Sequence, residues 1–220
     1  MPHKRLFIPG PTEVRSENLA ALAKPQIGHR GDEFKDLYTR VVPKLQQLLE
    51  TKDPVFLFTC SSTGVWEAAI RNSVKERVLC CMQGAFSDRW LKVAEANGKD
   101  AVPLKVEWGR AITAQAIDRE LAKGGYDAIT VVHNETSTGV MNRMDEIAAV
   151  MRKYPDVAFL VDAVSSMAGV RIPVDEWRID VCLAGLQKAF ALPAGLTVAA
   201  VSSRALEKAK TVKNRGYYFD

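Results

Sequence analysis

The chain has 220 residues, of which 47% are hydrophobic and 25% are charged, and this is ordinary globular composition for one large domain or slightly more. The formal net charge is +4, but the basic residues are scattered and form no run, which argues against a nucleic-acid partner. No apolar stretch is long enough to cross a bilayer, so we expect no membrane partner either.

Residues 1–30 differ from the rest of the chain. The segment Phe7–Thr12 contains Pro9 and Pro11, which lack the backbone donor that a helix interior requires. We therefore predict an extended N-terminal arm over residues 1–30. Residues 31–220 are predicted to form a single large domain.

Apolar, strand-like runs alternate with amphipathic stretches through residues 31–220. The predicted strands are Val55–Thr59, Arg77–Met82, Ala128–His133, Ala158–Asp162, Val181–Ala184 and Thr197–Ser202. The predicted helices are Asp32–Leu49, Gly64–Val74, Ser87–Asn97, Thr113–Lys123, Met144–Lys153 and Ser203–Val212. Most of the strands are apolar on both faces, as strands covered by helices on both sides should be. The alternation predicts an α/β fold with a mostly parallel sheet.

Two charged residues stand at the ends of neighbouring predicted strands. Asp162 ends one apolar run, and Lys188 follows shortly after the next. Open α/β sheets bind ligands at the carboxyl ends of their strands. A carboxylate and an amine there suit pyridoxal phosphate, which requires a Schiff base and a protonated ring nitrogen. Taken alone, Asp162 is better explained as a helix cap or an ion-pair partner, and Lys188 as a solvated surface amine.

Three further segments follow predicted strands. Ser61, Ser62 and Thr63 precede a helix, where backbone amides and hydroxyls can bind a phosphate, although an ordinary N-cap explains them equally well. Phe86 is placed to stack on a flat ring or to join the core. Thr136 is placed to donate to a ring oxygen. His133 is compatible with a core histidine, and we assign it no catalytic role.

The four cysteines, Cys60, Cys80, Cys81 and Cys182, each lie in or beside an apolar run. None forms a Cys-x-x-Cys pair, so both a metal site and a disulfide framework are disfavoured, and we predict no metal. We interpret them as buried, reduced thiols and expect a cytoplasmic protein.

Together these segments resemble the class V, fold type I aminotransferases, in particular the alanine–glyoxylate and serine–glyoxylate (serine–pyruvate) group. The matching pieces run in family order through nearly the whole chain: Pro9–Thr12, Gly28–Phe34, Ser61–Gly64, Glu135–Gly139, Val161–Ser166 and Leu186–Ala189. The resemblance implies the large domain of a pyridoxal-phosphate enzyme that transaminates a small amino acid, alanine or serine. It also implies glyoxylate or pyruvate as the 2-oxo acid acceptor, and a homodimer.

The resemblance also implies a role for each matching position. Lys188 would form the Schiff base with the cofactor, and Asp162 would pair with its ring nitrogen. The other implied contacts are Phe86 and Val164 on opposite ring faces, Thr136 at the ring hydroxyl oxygen, Ser61, Ser62, Thr63 and Gln187 near the phosphate, and Gly10 in a substrate arm.

Relatives in this family continue into a small C-terminal domain that supplies the arginine for the substrate carboxylate. We expect that domain to be missing from this chain, which keeps open the alternative of a truncated or non-catalytic protein that binds the cofactor. A cysteine desulfurase-like lyase is a second alternative. It resembles a different pattern, with histidines where this chain has Gln187 and Phe86.

Overall fold

The computed structural model describes residues 3–220. Its helices are α1 (Ser16–Ala21), α2 (Asp32–Leu48), α3 (Ser62–Ser73), α4 (Ala85–Ala96), α5 (Ala114–Leu121), α6 (Met144–Met151), α7 (Val174–Trp177) and α8 (Ser203–Ala209). Its strands are β1 (Val55–Phe58), β2 (Arg77–Met82), β3 (Asp100–Lys105), β4 (Ala128–Val132), β5 (Asn134–Glu135), β6 (Val140–Met141), β7 (Ala158–Asp162), β8 (Val181–Gly185) and β9 (Thr197–Val201).

Seven of these strands form one sheet in the order β1-β9-β8-β7-β4-β2-β3. Strands β8, β7, β4, β2 and β3 pair in parallel, whereas β9 runs antiparallel to both of its neighbours. Strands β5 and β6 form a separate two-residue hairpin. The predicted α/β fold with a mostly parallel sheet is confirmed.

Helices cover both faces of the sheet, which leaves its central strands buried. Because successive side chains of a strand point to opposite faces, Phe159 and Leu160 of β7 enter different hydrophobic clusters. Phe159 belongs to the cluster that contains Ile147 of α6, and Leu160 to the cluster that contains Ile70 of α3 and Trp90 of α4. Burial on both faces explains why these strands read as continuous apolar runs.

Strand β3 was not predicted from the sequence. It pairs only with β2, so it is an edge strand, and an edge position tolerates Pro103 and the charged ends Asp100 and Lys105. The short helices α1 and α7 and the β5–β6 hairpin were also missed. Helix α4 begins at Ala85 rather than at Ser87.

The predicted extended segment Phe7–Thr12 contains neither helix nor strand, and α1 lies later in the arm. The division at residue 30 stays a prediction. Within residues 3–220 no helix combines the length and apolarity needed to cross a membrane.

Candidate functional site

Loops at the carboxyl ends of β1, β2, β4, β7 and β8 surround a cavity of about 270 Å³. This is the edge at which open α/β sheets bind ligands. All nine residues that the sequence assigned to cofactor binding line it: Ser61, Ser62, Thr63, Phe86, Thr136, Asp162, Val164, Gln187 and Lys188. The fold therefore brings together positions that are up to 127 residues apart in the sequence (61 to 188).

Asp162 ends β7 at the floor of the cavity and is only 2% exposed. The Val164 backbone N–H donates to its Oδ1 at 2.8 Å, and the Trp90 indole Nε1 donates to its Oδ2 at 3.4 Å. Burial raises the pKa of Asp162 to about 7, against the opposing effect of these hydrogen bonds. Within the described residues no basic side chain forms an ion pair with it. A ligand that brings positive charge to this carboxylate would relieve the cost of its burial.

Lys188 lies in the loop after β8 and is half-buried. Its Nζ donates to the Gly10 carbonyl oxygen at 3.3 Å, which places the N-terminal arm directly over the amine. Two more hydrogen bonds fix the arm there, because the Thr12 N–H donates to the Gln187 carbonyl at 3.0 Å and the Thr12 hydroxyl donates to the Lys188 carbonyl at 3.1 Å. Gly10 has φ +148°, and a Cβ at this position would lie 2.3 Å from Lys188 Cδ. Only glycine permits this approach.

The hydroxyl-rich segment lies at the N-terminus of α3. Ser61 occupies the N-cap position, but its side chain makes no capping hydrogen bond. Ser62 Oγ is buried and has no hydrogen-bond partner among residues 3–220. Opposite it, a Cβ at Gly185 would lie 2.7 Å from Ser62 Oγ and 2.6 Å from Gln187 Oε1. The unpaired hydroxyl and the N-terminal end of α3 together form a cradle suited to an anion.

Phe86 is the second residue of α4 and is half-buried against the cavity. The guanidinium carbon of Arg89 lies 5.4 Å from the centroid of the Phe86 ring. Arg89 also lines the cavity and was not predicted from the sequence. Its position could have been inferred from Phe86, because residues three apart on a helix share a face.

Other cavity residues were missed as well: Trp66, Val132, Asn134 and Ser165. Asn134 and Ser165 hold the loops after β4 and β7 together. The Asn134 amide donates to Ser165 Oγ at 2.9 Å, and the Ser165 hydroxyl donates to the Asn134 carbonyl at 2.8 Å. Neither residue carries a sequence motif that marks this pairing.

His133 lies outside this cavity and is buried against Trp177, with the two ring centroids 5.9 Å apart. Burial lowers the pKa of His133 to about 4. His133 is therefore a neutral, packed imidazole at neutral pH.

Comparisons with known protein families, sequences and structures identify the family to which this chain belongs. The family model described as Aminotransferase class-V matches residues 12–220. An uncharacterized aminotransferase of Methanocaldococcus jannaschii is 40% identical to this chain, over 99% of the chain and 57% of that protein. The L-aspartate–glyoxylate aminotransferase of Paracoccus denitrificans is 35% identical and the serine–glyoxylate aminotransferase of Methylorubrum extorquens is 34% identical. Each of these two alignments covers 98% of this chain and 56% of the relative.

Solved structures agree with the sequence comparisons. The ureidoglycine–glyoxylate aminotransferase of Bacillus subtilis superposes with a TM-score of 0.94 at 28% identity, covering 100% of this chain and 58% of that one. The aspartate aminotransferase of Thermus thermophilus superposes with a TM-score of 0.89 at 31% identity, covering 99% of this chain and 61% of that one. The chain thus spans about 57% of the length of the curated relatives it matches.

Proposed function

The chain belongs to the class-V aminotransferase family, and on that premise we propose that it forms the cofactor-binding part of a pyridoxal-phosphate-dependent aminotransferase. One observation carries the proposal. Asp162, a buried carboxylate with no cationic partner among residues 3–220, ends β7, and the Lys188 amine follows the adjacent strand β8 and lines the same cavity. This is the pair of groups that the cofactor requires at opposite ends of its ring.

The other residues of the cavity fit the same group. The unpaired Ser62 hydroxyl at the start of α3 is suited to the phosphate, and Gly185 leaves room for it. Phe86 and Val164 supply apolar contacts suited to the two ring faces, and Thr136 a hydroxyl for the ring oxygen. The cavity, at about 270 Å³, is close to the lower end of typical ligand pockets, roughly 300 Å³.

Bound pyridoxal phosphate would supply an electron sink for negative charge that develops at the α-carbon of an amino acid. Asp162 would hold positive charge on the ring nitrogen, because its ionised form is stabilised by that charge in a buried site. Lys188 would hold the cofactor's aldehyde and, once an amino acid has displaced it, take a proton from the substrate's α-carbon. The arm at Gly10 would keep the amine at the mouth of the cavity, 3.3 Å from a carbonyl oxygen.

For substrates we propose a small amino acid, alanine or serine, as donor and glyoxylate or pyruvate as the 2-oxo acid acceptor. Support comes from the relatives whose names specify serine and glyoxylate. The L-aspartate–glyoxylate relative makes aspartate a donor that should be tested beside them.

We also propose a homodimer in the cytoplasm. The arm exposes apolar side chains such as Phe7 (91% exposed) and Leu22 (69%), which a second copy would shield. The buried thiols Cys80, Cys81 and Cys182 are compatible with a reducing compartment.

The desulfurase alternative has less support, because Gln187 and Phe86 occupy the positions where that pattern has histidines. A cysteine desulfurase of Thermococcus onnurineus superposes with a TM-score of 0.64 at 14% identity, and that likeness shows the fold alone.

Borohydride trapping tests the proposal. The protein is incubated with pyridoxal phosphate, treated with borohydride, and its intact mass is measured after excess cofactor is removed. We expect one phosphopyridoxyl group on the wild type and none on Lys188→Ala, whereas Lys44→Ala, which removes an exposed lysine of α2, should match the wild type. Equal incorporation in the wild type and Lys188→Ala would refute the assignment.

A spectroscopic half-reaction separates an enzyme from a protein that only binds the cofactor. Alanine, serine and aspartate are added to the loaded protein, and its visible absorbance is followed. We expect at least one donor to discharge the visible band. A trapped cofactor that no donor discharges would support the non-catalytic alternative.

A further inference from the structure

Glu135 is a completely buried carboxylate (0% exposed) that lies one residue before Thr136, at the end of β5. Its Oε2 accepts hydrogen bonds from the Ser87 backbone N–H at 2.9 Å and the Ser87 hydroxyl at 3.0 Å. Its Oε1 accepts from the Ser137 hydroxyl at 2.7 Å and the Ser137 backbone N–H at 3.2 Å. Burial by itself raises the pKa of Glu135, but these hydrogen bonds outweigh burial and leave the pKa below its ordinary value. Glu135 is therefore a charged group held inside the protein at neutral pH.

These hydrogen bonds form the N-terminal cap of α4. The first amides of a helix have no partner within the helix, and the N-cap residue here, Gly84, has no side chain to accept from them. The Phe86 N–H donates to Glu135 Oε1 at 3.4 Å, and the Ala85 N–H donates to Ser137 Oγ at 3.0 Å. The loop that carries Thr136 thus caps the helix that carries Phe86. A negative charge at this position is also favoured by the helix dipole.

The same helix reaches the floor of the cavity. Trp90, one turn after Phe86, donates from its indole to Asp162 at 3.4 Å. The Glu135 carboxylate therefore links the loop that carries Thr136 to helix α4, which carries both Phe86 and the Trp90 donor to Asp162. Glu135 does not itself line the cavity.

We propose that Glu135 is a positioning residue, which fixes where Phe86 and Thr136 stand relative to Asp162 on the bound cofactor. This inference rests on the proposed function. A carboxylate that served only to cap a helix would affect the stability of α4 but not the orientation of the cofactor.

Glu135→Gln is the decisive variant, because it keeps the shape of the side chain but removes the charge. The glutamine side chain has one acceptor oxygen, and its NH₂ group can only donate. That NH₂ group would face the donors of either Ser87 or Ser137, so the hydrogen bonds to one of these two residues are lost. Glu95→Gln, the same change at an exposed position of α4, is the matched control.

Three measurements are made on each protein: visible circular dichroism of the loaded protein per mole of cofactor, the Kd for pyridoxal phosphate, and amide hydrogen exchange of Phe86 and Ser87 without cofactor. For Glu135→Gln we expect about a tenfold rise in Kd and loss of roughly half of the visible dichroism, because charge-assisted hydrogen bonds are lost. Exchange of the two amides should be about tenfold faster. Borohydride trapping at Lys188 should persist, and Glu95→Gln should match the wild type.

A folded Glu135→Gln protein with wild-type dichroism and Kd would overturn the positioning role, even if its thermal stability fell. Should Glu135→Gln fail to fold, Ser137→Ala replaces it. This change removes one donor to Glu135 and the acceptor of the Ala85 amide. A smaller change in the same direction supports the inference, and unchanged dichroism overturns it. A wild-type protein that takes up no cofactor would instead refute the proposed function, and the inference with it.

Discussion

Replacing Asp162 by asparagine should stabilise the cofactor-free protein at alkaline pH while weakening cofactor binding. The wild-type carboxyl is 2% exposed and has its pKa raised from 3.8 to about 7 by burial. Because the pKa in the folded state lies above that in the unfolded state, the contribution of the neutral acid to stability is fully present below about pH 4. It is lost as the pH rises through about 7.

The magnitude follows from the size of this shift. One pKa unit corresponds to about 1.36 kcal/mol, so the full rise costs the folded wild type about 4 kcal/mol above pH 7, of which about 3 kcal/mol is lost between pH 5 and pH 8. Asparagine escapes this penalty, because it does not ionise. Its Oδ1 can still accept from the Val164 N–H, but its amide then faces the Trp90 indole, which costs on the order of 1 kcal/mol. Asp162→Asn should thus be close to the wild type at pH 5 and about 3 kcal/mol more stable at pH 8.

Urea unfolding of the cofactor-free protein at pH 5 and pH 8 measures this difference. Asp36→Asn, which changes an exposed aspartate of α2, is the matched control and should follow the wild type at both pH values. The Kd of Asp162→Asn for pyridoxal phosphate should rise at least about tenfold, since the amide cannot hold positive charge on the ring nitrogen. Parallel pH profiles of the free energy of unfolding in Asp162→Asn and the wild type would refute the reasoning.

Two glycine substitutions give further predictions. Gly10→Ala places a Cβ 2.3 Å from Lys188 Cδ, so the arm must move. The yield of borohydride adduct, measured by intact mass, should fall by about half in Gly10→Ala and stay unchanged in the control Lys4→Ala. Equal yields in Gly10→Ala and the wild type would contradict the contact between the arm and Lys188. Gly185→Ala places a Cβ 2.7 Å from Ser62 Oγ, where it would fill only the phosphate site. By absorbance titration, the Kd for pyridoxal phosphate should therefore rise about tenfold, whereas the Kd for pyridoxal should change little. An equal loss of affinity for both compounds would contradict the proposed phosphate cradle.

The central strands and most of the cavity were predictable because both have local signatures. Strands β4 and β7 are buried on both faces, so their sequences are continuous apolar runs, and the first polar residue after such a run marks the end of the strand. Asp162 was found in this way, whereas Thr136 was found in the hydroxyl-rich segment that follows β4. The topology of parallel strands then places those ends at one edge without any knowledge of the contacts between them.

What could not be predicted depends on contacts between distant segments. Glu135 caps a helix that begins 50 residues earlier, and nothing in the sequence around Ala85 shows where its cap comes from. For that reason the start of α4 was predicted at Ser87. The helix begins at Ala85, and Ser87 is its third residue, inside the first turn. Strand β3 was missed because an edge strand with Pro103 lacks the apolar run that marks the buried strands.

The most direct test of the central claim is a crystal structure of the protein soaked with pyridoxal phosphate. We predict continuous density between the Lys188 Nζ and the cofactor, with the ring nitrogen about 3 Å from a carboxylate oxygen of Asp162. Density for the cofactor elsewhere, or a Lys188 amine that remains on the Gly10 carbonyl with no link to it, would contradict the claim.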